Sequence, residues 1–275
     1  MSKKVIKILT YTALAAGLLL ITVPFYLSIV SSLKTQSELS RNFFGLPVNM
    51  NLDNYLMIVS KGDFIPALTN SLFITVISLA GFAVILPMAS YAISRRMGSS
   101  RLYTALYFYL LASIFIPFQV KMIPIVKLMN TMGIANKYGL ILLYLAGSTG
   151  EGIFLITGYL STIPNDMEEA AYIDGANTRQ IFSRIMIPVM KPIIATVLIK
   201  NCLWVWNDFM MPSMVLRLRA DRTLPLFQYA FQGEYATNYP LVFAAFVMAM
   251  IPIMIFYCIM QRNIIEGLTS GAVKG

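Results

Sequence analysis

The polar side chains best suited to chemistry lie inside an apolar stretch, 192–216, in which Lys200, Trp204 and Asn207 recur at helical spacing. On a helix these three side chains share one stripe, and Asp208 follows four residues after Trp204. Hydroxyl-rich molecules such as sugars are held by hydrogen bonds to amides and carboxylates and by contact with aromatic rings. The stripe therefore predicts a solute path lined by Trp204, Asn207 and Asp208. The alternative is a structural contact that ties this helix to a partner helix.

Glu151 is a further charged residue within an apolar run, where it stands between Gly150 and Gly152. A charged side chain at the centre of a bilayer costs roughly 2.5–3.5 kcal/mol on insertion scales, so such charges face protein or water. Glu151 is therefore an additional candidate for the same path.

The sequence has few of the residues that support catalysis or metal binding. It contains no histidine, and its two cysteines, Cys202 and Cys258, lie in apolar stretches and form no CxxC motif. Histidine-based acid–base chemistry, most zinc and haem sites and a disulfide framework are thereby excluded. The G-x-x-x-x-G-K-[ST] loop that binds ATP phosphates is absent, so the sequence offers no ATP site of this kind. We predict that the chain is not an enzyme and itself binds no metal or cofactor.

The composition indicates a membrane protein. Of its 275 residues, 58% are hydrophobic and 12% are charged, and the mean hydropathy is +0.72. Soluble domains are nearer to about 45–50% apolar and about 25% charged. The net charge of +9 comes from basic residues scattered in ones and twos. That distribution is typical of the flanks of membrane spans, so we predict no nucleic-acid partner.

Six apolar segments are long enough to cross a membrane as helices of about 20 residues. They lie at about 8–33, 69–94, 102–126, 138–162, 190–214 and 238–261. Neither an internal repeat nor a low-complexity linker divides them. We therefore predict one all-α domain, 1–275, a polytopic bundle of six transmembrane helices.

The basic residues predict the orientation of the bundle. Lys3, Lys4 and Lys7 precede the first span, and the short loop 94–101 carries arginines without an acidic residue. Because positive charge favours the cytoplasmic side, both termini are predicted to be cytoplasmic. The first apolar run is longer than the roughly 7–15 residues of a signal-peptide core, so we expect a retained span rather than a cleaved signal.

The segment 163–188, between the fourth and fifth spans, has the pattern of a helix, a turn and a second helix. Asn165 or Asp166 can cap the start of the first helix. Gly175 suits the left-handed residue that ends it, and Thr178 can cap the next helix. A short amphipathic helix resting on the membrane face would show the same local pattern, so that alternative remains open here.

The same segment carries a longer motif. Glu169-Ala170-Ala171 is followed after three residues by Gly175 and after nine more by Ile185-Met186-Ile187-Pro188. This spacing resembles the EAA signature of ABC importer permeases, E-A-A-x3-G-x9-I-x-L-P, with Ile187 where leucine is usual. The resemblance implies a cytoplasmic coupling helix that docks on a partner ATPase. The implied coupling residues are Glu169, Ala170, Ala171, Asp174, Gly175, Ile185 and Pro188.

Two further stretches narrow the resemblance. Trp206-Asn207-Asp208-Phe209, followed by Pro212, resembles the fifth-span motif of sugar importer permeases. The end of the chain, from Gly267 to Gly275, is similar to their G-L-T-x-G-A-V-K-G tail. The whole chain thus resembles the smaller, maltose-type permease subunit of a carbohydrate ABC importer.

That resemblance implies a function and a set of partners. The chain would be a permease subunit of an ATP-driven, binding-protein-dependent sugar importer in a bacterial plasma membrane, and would form half of the translocation path. Its partners would be a second permease, a cytoplasmic ATPase dimer that holds ATP and Mg, and an external or periplasmic sugar-binding protein. The loop 212–240 would contact that binding protein, unless it is only a solvated connector. An ion-coupled secondary transporter is the alternative. Such proteins usually show intramembrane carboxylates or broken helices in repeated halves, and six spans without a repeat fit that class poorly.

Overall fold

The computed structural model describes residues 3–60 and 63–272, with side chains described as far as Gln261. All regular secondary structure in these residues is helical, which confirms the predicted all-α class. Short 3-10 turns cover Ser113–Phe115 and Arg219–Asp221, and a π-helical segment covers Ile181–Met186. The predicted tail motif ends outside the described residues. The α-helices are α1 Lys3–Ser32, α2 Gln36–Arg41, α3 Asp53–Ser60, α4 Phe64–Arg96, α5 Arg101–Ala112, α6 Phe118–Thr131, α7 Lys137–Leu160, α8 Asp166–Ile173, α9 Thr178–Gln180, α10 Ile187–Asn207, α11 Met210–Val215, α12 Leu224–Glu234 and α13 Tyr239–Ala272.

Five of the described helices are long and apolar enough to cross a membrane. The bent pair Arg101–Phe115 and Phe118–Thr131 adds a sixth if it is counted as one broken span, which brings the number to the six predicted. The five helices are Lys3–Ser32, Phe64–Arg96, Lys137–Leu160, Thr178–Asn207 and Tyr239–Gln261.

The predicted third span, 102–126, is not one straight helix. Its two halves meet at Ile116 and Pro117 with an angle of 105° between them. Proline has no N–H to donate into a helix, and it also forces the preceding residue out of the helical region. Ile116 accordingly is extended, with φ −84° and ψ 112°. The apolar pattern continues through this point, which is why it predicted an unbroken span.

The predicted fifth span, 190–214, is shifted in the structure. Its helix runs from Thr178 to Asn207 and ends there because Asp208 is extended, with φ −69° and ψ 124°. Helix α11 begins two residues later. The Asp208 carboxylate accepts a hydrogen bond from the N–H of Met210 at 3.0 Å, so the break is capped.

Helix α7 packs closely against its neighbours because glycines replace larger side chains at the contacts. A Cβ added to Gly150 would lie 2.7 Å from the carbonyl oxygen of Leu110 in α5. One added to Gly152 would lie 2.6 Å from a methyl carbon of Leu86 in α4. Both distances are well below the roughly 3.5–4.0 Å of an ordinary carbon contact. Small residues at such positions allow helix backbones to approach one another in membranes.

Contacts divide the described residues into two compact units. One comprises residues 3–60, 63–68 and 224–252, and the other comprises 69–223 and 253–272. The candidate sites described below lie in the second unit. A single domain over 1–275 stays a prediction.

In the first unit, the fully buried Lys34 organises the segment that follows α1. Its ammonium group donates hydrogen bonds to the carbonyls of Asn42 and Gly45, both at 2.6 Å, and of Phe43 at 3.3 Å. The Asn54 amide in turn donates to the Lys34 carbonyl at 3.1 Å. An ammonium group has three donors, and burial is tolerated when they are satisfied. The three carbonyls therefore make Lys34 the anchor of the loop 35–52.

We predict that Lys34→Met destabilises this loop, because the three carbonyls would lose a buried donor at about 1–3 kcal/mol for each unsatisfied group. Limited proteolysis of the protein in membranes should then show faster cleavage within 35–52. Lys127→Met, which removes an exposed lysine, is the matched control. Equal cleavage rates in the two variants would contradict the anchoring role.

Candidate functional site

The 163–188 segment folds into two short helices, as predicted, but with partly different caps. Helix α8 starts at Asp166, and Asn165 occupies the N-cap position without a side-chain capping bond. Of the two predicted capping residues, Asn165 and Asp166, Asn165 thus takes the N-cap position, but the side-chain bond expected of a cap is not formed. The first turn instead carries three carboxylates, which stabilise the positive end of the helix dipole: Asp166, Glu168 and Glu169.

Gly175 ends α8 in the left-handed conformation that the sequence predicts, with φ +82°. The N–H of Ala176 donates to the Ala171 carbonyl at 2.9 Å, and the N–H of Gly175 donates to the Tyr172 carbonyl at 3.0 Å. These two bonds form a Schellman motif, which satisfies the last carbonyls of the helix and fixes the direction in which the chain leaves it.

The second helix is capped by Asn177 rather than by Thr178, so that prediction was wrong. The Asn177 side chain accepts the N–H of Gln180, and the Gln180 side chain accepts the N–H of Asn177, each at 2.9 Å. This reciprocal pair is a capping box. Asn177 has the extended backbone that a capping residue needs, with φ −80° and ψ 163°, whereas Thr178 is already helical.

The motif ends in a π-helical turn. Over Ile181–Met186 the helix widens, and the N–H of Ile187 donates to the carbonyl of Phe182, five residues earlier. In an α-helix, Pro188 would have no N–H to donate to the Arg184 carbonyl, and its ring would crowd that carbonyl. The wider turn accommodates that ring. Ile185 is half-buried within the turn, and Pro188 is exposed.

Glu168 joins the segment to the body of the second unit. Its carboxylate accepts hydrogen bonds from the Tyr91 hydroxyl and from Arg95 Nε, both at 2.6 Å, and Glu168 is only 7% exposed. Arg95 Nη1 also lies 3.4 Å from the Leu160 carbonyl at the end of α7. The start of α8 is thus tied to the ends of α4 and α7. Sequence reasoning missed this link, although Glu168 adjoins the motif and Arg95 lies in the basic loop used for orientation.

The two faces of α8 differ. Ala171 is 8% exposed and packs inward, so only Ala170 of the two alanines in the motif is exposed. The outer face carries Met167, Ala170 and Ile173, three residues apart, and Ile173 is 87% exposed. Glu169 and Asp174 are also exposed. This small helix therefore presents an exposed apolar stripe beside carboxylates.

The other candidate residues lie along the contact between α7 and α10, here called the polar seam. The Tyr144 hydroxyl donates to the Asp208 carboxylate at 2.9 Å, and Ser148 donates to the Asn201 side chain at 2.9 Å within the buried part of the seam. The Tyr144 ring also packs edge-on against Trp204, with centroids 5.3 Å apart. Tyr144 gave no signal in the sequence, because only the fold brings it to Asp208.

The seam only partly matches the predicted stripe. Trp204 is 40% exposed and Asn207 is exposed, so both present polar or aromatic groups on the open side of α10. Asn207 donates its amide to the Leu203 carbonyl at 2.8 Å and keeps its side-chain oxygen for another partner. Asp208 lies beyond the end of the helix, so its expected place four residues along the same stripe was wrong.

Residues 212–223 are more ordered than a solvated connector requires. The Asn70 amide donates to the carbonyls of Ala220, at 2.7 Å, and Arg222, at 3.2 Å. Lys137 Nζ lies 3.9 Å from the Asp221 carboxylate. These contacts hold the loop against the starts of α4 and α7, at the opposite ends of those helices from Glu168. Within the described residues, carboxylates and cysteines form no group able to hold a metal ion.

Comparison with known proteins places this geometry in context. A family model for the "binding-protein-dependent transport system inner membrane component" matches residues 81–269, which include the 163–188 segment and the polar seam. The chain is 40% identical over 266 residues to the multiple sugar-binding transport system permease protein MsmG of Streptococcus mutans, and the alignment covers 96% of each protein. It is 32% identical over 255 residues to the melibiose/raffinose/stachyose import permease protein MelC of Bacillus subtilis, covering 92% of this chain and 91% of MelC.

A solved structure shares the fold. It is the crystal structure of a bacterial ABC transporter involved in the import of the acidic polysaccharide alginate. One of its chains superposes with a TM-score of 0.82 at 25% identity, covering 95% of this chain and 98% of that one. The family match over residues 81–269 and the relative that is 40% identical along nearly the whole length agree. This protein belongs to the family of binding-protein-dependent transport system inner membrane components.

Proposed function

We propose that this chain is the permease subunit of an ATP-driven, binding-protein-dependent importer of oligosaccharides. The 163–188 segment carries the proposal, because a connecting loop needs neither a Schellman turn, a capping box nor an anchor such as Glu168. Relatives whose names specify sugars align along nearly the whole chain, which supports a sugar as the transported solute.

In this proposal, α8 docks on the cytoplasmic ATPase, where ATP and Mg are bound. The apolar stripe of Met167, Ala170 and Ile173 enters a groove of the ATPase, flanked by the carboxylates of Glu169 and Asp174. Gly175 sets the direction of the chain after α8, and Ile185 and Pro188 shape the start of the long helix that follows. Ala171 instead packs α8 against its own bundle.

Movement of the ATPase pair then reaches the membrane by two routes. The bonds of Glu168 to Tyr91 and Arg95 connect α8 to the end of α4. The continuous helix from Thr178 to Asn207 connects the same segment to the polar seam. The solute path would lie on the open side of the seam, with Trp204 and Asn207 facing it and Asp208 positioning Tyr144. A second permease would supply the other half of the path.

The charge distribution supports a cytoplasmic α8. Arg95, Arg96 and Arg101 lie at the same ends of the helices as α8, where positive charge is favoured. The loop held by Asn70 and Lys137 would then face outward and contact the binding protein. Both termini would be cytoplasmic in the bacterial plasma membrane.

Reconstitution of the complex that co-purifies with this chain tests the function. Vesicles should take up melibiose, raffinose or maltotriose only when ATP and the binding protein are both supplied. Uptake driven by a proton or sodium gradient without ATP would instead establish the ion-coupled alternative.

The apolar stripe of α8 is expected to be needed for attachment of the ATPase. Ile173→Asp should weaken attachment of the ATPase about 10-fold or more, because burial of an isoleucine side chain is worth about 1.5–3 kcal/mol. Retention of the ATPase on the tagged, detergent-solubilised permease measures this. Leu218→Asp, at an exposed apolar position outside the segment, is the control and should retain the ATPase. Full retention by Ile173→Asp would favour a helix that merely rests on the membrane.

Substitutions of Asn207 and Asp208 should have different effects, although the two residues are adjacent. Asn207→Ala should reduce sugar uptake about 2–12-fold with assembly intact, since one hydrogen bond to a neutral group is worth about 0.5–1.5 kcal/mol. Asp208→Ala should reduce the yield of assembled complex, because Tyr144 and the start of α11 lose their acceptor. Asp208→Asn, which keeps an acceptor oxygen, should restore assembly. Normal assembly of Asp208→Ala would show that Asp208 is not a positioning residue.

A further inference from the structure

Glu151 and Lys200 form an ion pair across α7 and α10, within the apolar lengths of both helices. Helix α7 has 24 residues, and Glu151 is the fifteenth. At 1.5 Å per residue, it lies only about 4 Å from the midpoint of the helix. The two side chains are nevertheless 46% and 50% exposed, so the chain itself leaves half of each charged group uncovered.

The Glu151–Lys200 pair lies on the open side of the polar seam. Ser148 and Asn201, the adjacent polar contact, are both buried. Lys200 lies about 100° around α10 from Asn201, on the same open stripe as Trp204 and Asn207, four and seven residues further along. The pair and the candidate path residues thus share one open surface.

Lipid cannot cover this surface without a large cost. Ionisable groups within membrane spans face the interior of a bundle or a water-filled cavity, since hydrocarbon offers them no hydrogen bonds. The pair is also electrically balanced within this chain, so it needs no opposite charge from a companion subunit. A water-filled path would hydrate the uncovered half of each charged group, whereas a contact with the companion permease would bury both groups away from water.

We propose that the Glu151–Lys200 pair forms part of the wall of the solute path and offers hydrogen bonds to the hydroxyls of a neutral oligosaccharide. The inference rests on the proposed function and adds two residues to its path. An ammonium group has three donors and a carboxylate has four acceptor sites, so each keeps capacity after pairing. The paired charges cancel, so this part of the wall has no net charge. It can therefore hydrogen-bond the hydroxyls of a neutral saccharide, whereas an acidic saccharide would need a net positive charge there.

Cysteine labelling tests which environment the pair faces. In a chain with Cys202 and Cys258 replaced, Glu151→Cys is combined with Lys200→Gln so that no unpaired charge remains. A charged, water-soluble thiosulfonate should modify this cysteine at least tenfold faster than one at Leu142. Leu142 lies nine residues earlier, on the opposite face of α7, and is exposed and apolar. Raffinose supplied with the binding protein and ATP should slow the modification severalfold.

A second variant keeps the proposal testable if the first does not assemble. The exchange Glu151→Lys with Lys200→Glu keeps an ion pair but reverses its donors and acceptors. Uptake should persist with a KM for raffinose raised about 12-fold or more, the loss expected for one hydrogen bond to a charged group. A purely structural pair would leave this KM unchanged.

The outcomes separate this inference from the function on which it rests. ATP-driven sugar uptake with slow, raffinose-insensitive labelling at 151, or with an unchanged KM in the exchange variant, would overturn the path role alone. Failure of the unmodified complex to transport any sugar would overturn both. Fast, raffinose-sensitive labelling together with a raised KM supports the pair as a wall of the path.

Discussion

The hydrocarbon of a bilayer supplies no hydrogen-bond partner, so a polar group inside a span must find one within the protein or in a water-filled cavity. Here that constraint acts most strongly where α7 meets α10. Tyr144 pairs with Asp208, and Ser148 pairs with Asn201. The Ser148–Asn201 bond joins the two helices directly, and the Tyr144–Asp208 bond holds the residue that follows α10. Together the two bonds limit how α10 can rotate about its axis. That rotation leaves Trp204 on the open side.

Satisfied helix ends also order the segment between the spans. The carbonyls at the end of α8 are satisfied through Gly175 and Ala176, and the first N–H groups of the next helix are satisfied through Asn177. Glu168 accepts two hydrogen bonds from α4 where it would otherwise be a buried carboxylate without a partner. An element with its ends capped and one side anchored can transmit displacement, whereas a flexible loop would absorb it.

The sequence predicted features that depend on local chemistry and missed those that depend on contacts between distant segments. Gly175 was identified because the left-handed turn after a helix favours glycine. The choice of Asn177 over Thr178 was missed, since both are good capping residues and only the backbone distinguishes them. The inward face of Ala171 and the bond from Tyr144 to Asp208 depend on how whole helices pack. The spacing of residues in one helix could not reveal either.

The long helix from Thr178 to Asn207 connects the capped 163–188 segment to the polar seam. Its first turns belong to the capped segment, and its last turns carry Trp204 and form one side of the polar seam. From Thr178 to Trp204 is about 39 Å at 1.5 Å per residue, so a tilt at one end becomes a lateral shift at the other. The π-helical turn before Pro188 lies near the capped end, at the one described place where this helix departs from α geometry. A bend concentrated there would move the remaining, regular part of the helix as a unit.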